Sequence, residues 1–310
     1  MRPFPVLTAL GLLLALGSAA AAQTADPPAP AAASSDPASP DPASPDPVVR
    51  GAYVFAAGGC AACHTAAGDA AKPLAGGRPL KTAFGTFYTP NITPDPETGI
   101  GKWSEEDFRR ALREGVSPAG EDFYPAFPYT SYTGITDRDL ADLWAYLRSV
   151  PPVQQPNKPH ELSWPYSWRS LLPGWRLLNF SEGPFLVAAG QSADWYRGAY
   201  LVRVLGHCGE CHTPRDMLGG LNWYSPFAGN PQAPEGQGKI PNITPDPQHG
   251  IGEWSDRDIT YYLETGATPD GDFAGGAMVE VIKNDTSRLT PEDRQAIATY
   301  LKSLKPLSGP

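Results

Sequence analysis

Basic side chains are the minority in this sequence: 24 Lys and Arg stand against 33 Asp and Glu, for a formal charge of -9 over 310 residues. Holding nucleic acid takes a basic face, so that class of function is excluded, whereas electrostatic docking on a basic protein partner stays open. Long apolar runs are missing after residue 22, and a bilayer-spanning helix needs about 20 predominantly apolar residues. Convincing period-two alternation is missing too, which turns the fold away from strands. Sulfur is scarce, with four cysteines and three methionines, and histidines number five. Where these few residues fall therefore carries most of the chemical information.

The first segment does not belong to a folded body. Met1–Ala22 has one early basic residue, Arg2, then a Leu- and Ala-rich run that closes on small residues, which is the layout of a cleaved secretory signal peptide. The run is short for a spanning anchor, so the mature protein is expected in soluble form in the periplasm. Residues 23–49 are almost all Ala, Pro, Ser and Asp, with DPASP repeated at Asp36 and Asp41. Such a stretch buries too little apolar surface to offset its ordering entropy, and reads as a flexible, partly polyproline spacer.

All four cysteines fall in two copies of one motif, CAACH from Cys60 to His64 and CGECH from Cys208 to His212. This is the pattern of covalent c-type haem attachment: Cys60 with Cys63, and Cys208 with Cys211, each reach the two vinyl groups of one porphyrin. His64 and His212 then turn under the rings as the proximal iron ligands. A thioredoxin-like redox pair would leave both histidines unexplained, and a zinc site would have to gather pairs separated by most of the chain.

The motifs sit in a larger repeat. RGAY at Arg50 returns at Arg197, and over Pro90–Gly115 against Pro241–Gly266, 15 of 26 positions are identical. The organisation expected is residues 50–152 as a first domain, 153–190 as a connector, and 191–310 as a second domain. Helix starts repeat as well. Ser104 with Asp107, and Ser255 with its following residues, have the form of a capping box. Thr136 opens a helix with Leu140, Leu143, Trp144 and Leu147 on one face, and Thr290-Pro291 opens its counterpart. The fold class expected is all-α, with short helices and long loops wrapped around buried haems. The Asn-Ile-Thr triplets at Asn91 and Asn242 match a glycosylation pattern, yet their place in a repeated turn assigns them to loop structure.

The chain resembles the diheme c-type cytochromes of bacteria, in particular the cytochrome subunits of periplasmic alcohol, gluconate and fructose dehydrogenases. The resemblance is carried by CAACHT, GGRPLKTAFGTFYTPNITPDPETGIGKWS, YPAFPY and GHCGECHTPRD, and covers roughly Arg50 to Leu304. Those subunits often carry three haems and a membrane-associating tail; this sequence shows two attachment motifs. The resemblance implies a methionine sixth ligand in each domain. In the second domain Met278, in GDFAGGAMVEV, occupies that place; its rival Met217 lies six residues after Cys211.

In the first domain the matching stretch is FYPAFPYTSY, Phe123 to Tyr132, with Phe127 where methionine is expected and Ile135 further on. Neither binds iron. The candidates that remain are His160 in the connector, Lys158 or Tyr124, and a five-coordinate iron under Phe127. His207, just before Cys208, and His249, in a turn, are read as structural. Arg78 in GGRPL is a candidate partner for a haem propionate, since a buried carboxylate needs a cation and arginine offers two parallel bonds.

The function expected is electron transfer by two haems, from a periplasmic dehydrogenase or other donor to a terminal oxidase or a small soluble cytochrome. The competing expectation is a haem enzyme, peroxidase-like or sulfur-oxidising, that uses a weakly ligated first haem.

Overall fold

Helices in this protein start where a short polar side chain can cover the exposed amides. Asp46 accepts from the Val48 amide at 2.8 Å and opens α1 (Pro47–Ala57), with Pro47 at the first helical position. The computed structural model describes residues 44–66, 68, 72–186, 189–232 and 238–309. After α1 come α2 (Cys60–His64), β1 (Pro79–Thr82), β2 (Gly85–Tyr88), α3 (Glu105–Glu114), α4 (Tyr129–Tyr132) and α5 (Asp137–Ser149). The connector holds β3 (Glu161–Leu162) and α6 (Leu172–Asn179). The second repeat holds α7 (Ala193–Tyr200), α8 (Gly209–His212), α9 (Asp256–Thr265), α10 (Ala277–Asn284) and α11 (Pro291–Ser303).

The expected caps are present. Ser104 and Asp107 form a complete capping box on α3, and Ser255 and Asp258 form one on α9. Both helices end on a left-handed glycine, Gly115 at φ 66 and Gly266 at φ 80. Thr136 and Thr290 accept from the amides of Asp139 and Asp293 to open α5 and α11. The leader Met1–Ala22 and most of the expected spacer lie outside the described residues. The boundary expected at Arg50 falls inside α1, because Asp46 and Pro47 start the helix earlier.

The frame is mostly helical, in keeping with the all-α expectation, and carries besides its helices a small antiparallel sheet in the order β1-β2-β3 that the sequence did not announce. Gly85 pairs with Leu162 and Thr86 with Glu161. At φ 121, Gly85 also lets the connector pass so close that a Cβ there would lie 2.4 Å from the Glu161 carbonyl oxygen. Strands of two to four residues, one contributed from far along the chain, leave no alternation to read.

The repeated RGAY has three distinct jobs. Gly51 and Gly198 let α1 cross α5, and α7 cross α11, at backbone contact: a Cβ on either would sit 1.9 Å from the carbonyl oxygen of Asp142 or Ala296. The arginines brace these crossings. Arg50 makes two bonds to Asp142 at 2.7 and 2.6 Å, and Arg197 two to Asp293 at 2.8 Å each. The tyrosines are exchanged between repeats. Tyr53 donates to Asp293 and accepts from the Thr290 amide, both at 2.8 Å. Tyr200 donates to Asp139 at 2.7 Å and accepts from the Thr136 amide at 3.2 Å. Each repeat thus completes the start of the other's last helix, and the described residues of both lie in one compact unit with a shared core.

The Asn-Ile-Thr triplets are internal clamps. Asn91 and Thr93 are buried, and both bond to the Val153 carbonyl just after α5. Asn242 and Thr244 do the same to the Leu307 carbonyl after α11. Burial removes both asparagines from a glycosylating enzyme. The connector beyond Val153 is more than a tether, since it supplies β3, packs Trp175 against the Leu218 carbonyl at 2.8 Å, and carries exposed Trp164, Trp168, Leu177 and Leu178.

Candidate functional site

In the first attachment motif Cys60, Cys63 and His64 lie on α2, and in the second Cys208 caps α8, which carries Cys211 and His212, so in each the cysteines and histidine stand at i, i+3 and i+4 around one helical turn. His64 places Nδ1 2.8 Å from the Pro90 carbonyl oxygen, and His212 places Nδ1 2.8 Å from that of Pro241. A carbonyl only accepts, so Nδ1 carries the hydrogen in both rings and the lone pair is left on Nε2. Burial lowers both imidazole pKa values, which keeps that lone pair free of a proton at neutral pH. This is the arrangement a metal-binding histidine requires: one nitrogen oriented by a carbonyl, the other open.

The thiols behave differently from those of a redox pair. Burial, with Cys63 beside it, pushes Cys60 up to about 12; burial, with Asp285 and Cys211, does the same to Cys208. A redox-active CxxC works through a lowered pKa, the reverse of what is found. Among the described residues no group of three or more His, Cys, Asp and Glu side chains is gathered to hold a metal ion, so the two pairs do not form a zinc site. Two thiols and an imidazole with its Nε2 open, held twice on one helical face, fit a covalently tethered porphyrin.

Arginines hold both motifs. Arg78 donates to the Ala62 carbonyl, inside CAACH. At the equivalent place in CGECH, Arg215 donates to the Glu210 carbonyl at 2.8 Å and to its carboxylate at 2.5 Å. Arg78, expected at a propionate, is thus fixed against the attachment helix. Glu210 also receives the Thr130 hydroxyl at 2.8 Å and the Ser131 hydroxyl at 3.3 Å, from the other repeat.

Met278 sits half-buried near the start of α10 and packs on the core, whereas Met217 is 92 % exposed. In the opposite repeat Phe127 packs between Phe123 and Tyr132, both ring centroids 5.8 Å away. His160 lies in the connector against Phe87 and Tyr124, and its Nδ1 accepts from the Tyr88 amide at 3.1 Å. That tautomer is opposite to those of His64 and His212: the hydrogen is on Nε2, and iron ligation there would require a lost proton or a broken Tyr88 bond. Lys158 lies over the Tyr88 ring, Arg169 over that of Tyr124, and His249 is exposed beside Asp246. Sequence reasoning missed Tyr132, whose hydroxyl reaches the Gly58 carbonyl beside the first motif, Glu210, which ties the second motif to Thr130 and Ser131, and Asp285, which is buried beside Gly59. Only Glu210 left a trace, as the charged residue of CGECH where the first motif has Ala62.

A mostly helical frame that presents two histidine-anchored CxxCH segments defines a haem-binding electron-transfer protein. A family model described as Cytochrome c matches residues 48–151 and 197–305. The chain is 50% identical over 257 residues to a diheme cytochrome c-type of Cereibacter sphaeroides, covering 82% of this chain and 84% of the relative. It is 40% identical over 306 residues to the fructose dehydrogenase cytochrome subunit of Gluconobacter japonicus, covering 98% of this chain and 60% of the relative. It is 41% identical over 265 residues to the gluconate 2-dehydrogenase cytochrome c subunit of Pantoea cypripedii, covering 83% and 59%. The chain thus spans less than two thirds of the length of those two subunits. The protein belongs to the cytochrome c family and carries two covalently bound c-type haems.

Proposed function

We propose that the chain is an exported diheme electron carrier, delivered to the periplasm by the Met1–Ala22 leader, that takes electrons from a dehydrogenase and passes them to a terminal oxidase or a small cytochrome. The observation that carries this reading is the duplicated histidine-to-proline bond, which orients an open Nε2 beside each cysteine pair. Cys60 and Cys63 tether the first haem and His64 ligates it; Cys208, Cys211 and His212 do so for the second. When bound, the haems supply the one-electron couple, and the chain fixes their ligands, burial and spacing.

Met278, half-buried near the start of α10, would give the second iron a thioether, a ligand that raises its potential. Phe127 stands in the first repeat where the resemblance leads one to expect methionine, so a first haem held by His64 would have no sulfur ligand from its own repeat; its potential would be the lower one, and electrons would run from the first haem to the second. His160, with its hydrogen on Nε2, stays off the iron and braces β2 instead. Dehydrogenase partnership is supported by the fructose and gluconate dehydrogenase subunits among the relatives. It is also supported by the apolar connector face around Trp168 and Leu177 on an otherwise acidic chain, which suits docking on a protein of apolar surface.

The test is anaerobic mixing of the haem-loaded protein with a sugar or alcohol dehydrogenase and its substrate. Rapid reduction of both haems, with no turnover of peroxide, is expected. Peroxide turnover with no reduction by any such enzyme would make the protein a haem enzyme instead.

A further inference from the structure

The two attachment motifs meet through an asymmetric contact that the repeat itself does not require. Just before each first cysteine the backbone turns left-handed: in the first repeat at Gly59, φ 59, and in the second at His207, φ 37. A non-glycine residue in that region is strained, and strain is retained where the side chain has a use. The His207 imidazole lies against the Tyr132 ring of the opposite repeat, with centroids 5.4 Å apart and planes at 67°. Tyr132 is buried, and its hydroxyl donates to the Gly58 carbonyl at 3.0 Å. A Cβ built on Gly58 would lie 3.3 Å from Cys60 Sγ and 3.6 Å from Tyr132 Oη. On the other side, His207 is bonded directly to Cys208. The segments also touch at Gly206, where a built Cβ would lie 3.9 Å from the Ala57 carbonyl oxygen.

We propose that the edge-to-face Tyr132–His207 pair is the bridge through which an electron passes between the two haems. It rests on the assignment of one haem to each motif. From Cys60 the path runs back along the chain through Gly59 to the Gly58 carbonyl, over its 3.0 Å hydrogen bond to Oη of Tyr132, across the ring to His207, and along one covalent link to Cys208. Every step is bonded or in packing contact. One electron leaves a ferrous iron and arrives at a ferric iron; no bond is made or broken, and burial keeps the Tyr132 phenol protonated throughout. The strain at His207 is then the cost of replacing an empty corner with an aromatic ring where the other repeat is content with glycine.

The experiment compares wild type, His207→Gly, Tyr132→Leu and the double variant. Haem content, read by absorbance at two per chain, checks the assignment separately. One electron is injected photochemically and its equilibration between haems is followed where their spectra differ, alongside both reduction potentials. His207→Gly keeps the backbone allowed, as Gly59 shows, so it folds. Each single variant weakens the coupling between the haems and slows exchange about tenfold or more, with both potentials unmoved. The double variant is no slower than the slower single, because both interrupt one path. Unchanged exchange in either single variant, or multiplicative slowing in the double, overturns the proposal.

Discussion

Removing one hydroxyl from Tyr200 should cost this protein more than any other phenol-to-phenyl change. Tyr200 and Asp139 are both completely buried, and the hydroxyl serves two partners of the opposite repeat: it donates to the Asp139 carboxyl at 2.7 Å and accepts from the Thr136 amide at 3.2 Å. Burial holds the phenol well above its ordinary pKa, so it remains a donor at any pH of interest. Tyr200→Phe leaves both partners short of a bond where water does not reach; a hydrogen bond to a charged group contributes about 1.5–3 kcal/mol, and a stranded buried polar group costs about 1–3 kcal/mol. A loss of about 3 kcal/mol follows. Tyr53→Phe breaks the equivalent bonds, but Asp293 keeps both of its Arg197 bonds, so its cost is smaller, about 1–2 kcal/mol. Guanidinium unfolding of the haem-loaded protein, followed by tryptophan fluorescence and haem absorbance, measures both. Because each tyrosine anchors the other repeat, the two probes should report one transition. A Tyr200→Phe loss below about 0.5 kcal/mol, or a larger loss for Tyr53→Phe, would refute the reasoning.

Three other perturbations have defined outcomes. Gly51→Ala or Gly198→Ala drives a Cβ into the backbone of a crossing helix, and should cost at least about 3 kcal/mol in the same unfolding experiment; a neutral result would mean the crossings are looser than described. Burial alone raises the Asp285 pKa, so the folded chain holds a proton that the unfolded chain releases above pH about 3.9. Stability is therefore fullest below that pH and falls as pH rises toward the folded value, by up to about 1.4 kcal/mol per unit. Asp285→Asn should gain on wild type with rising pH, and parallel stability–pH curves for the two would contradict the assignment. Met278→Ala should abolish the sulfur-to-iron charge-transfer absorption of the ferric protein and lower one potential, while Met217→Ala changes neither; the reverse pattern would exchange their roles.

Much of this was legible because it is local. A cap needs only the residue at the helix start and one three places on, so Ser104, Thr136, Ser255 and Thr290 could be read directly. The repeat itself announced that the same turn, with its buried asparagine, is built twice. What stayed hidden depends on residues far apart in the chain. β3 exists because the connector returns to Gly85, and neither segment alone looks like a strand. The tyrosine of RGAY reads as one more core aromatic until its hydroxyl is found on the other repeat. Arg78 and Arg215 converge on the same carbonyl of the two motifs from unrelated loops, a likeness that no alignment of the repeats exposes. His160 reads as a candidate ligand because the connector could carry it over the haem; its bond from the Tyr88 amide, made by a segment 72 residues away, is a partner that no local pattern announces.

The central claim is that two haems of unequal potential sit in one body, the higher one ligated by Met278. A spectroelectrochemical titration of wild type beside Met278→Ala tests it most directly. Two one-electron steps are expected, of which the substitution lowers only the higher, that of the haem held by His212. If the lower step moves instead, or if the haem held by His64 proves to have the higher potential, the proposed ligation and the direction of electron flow are both wrong.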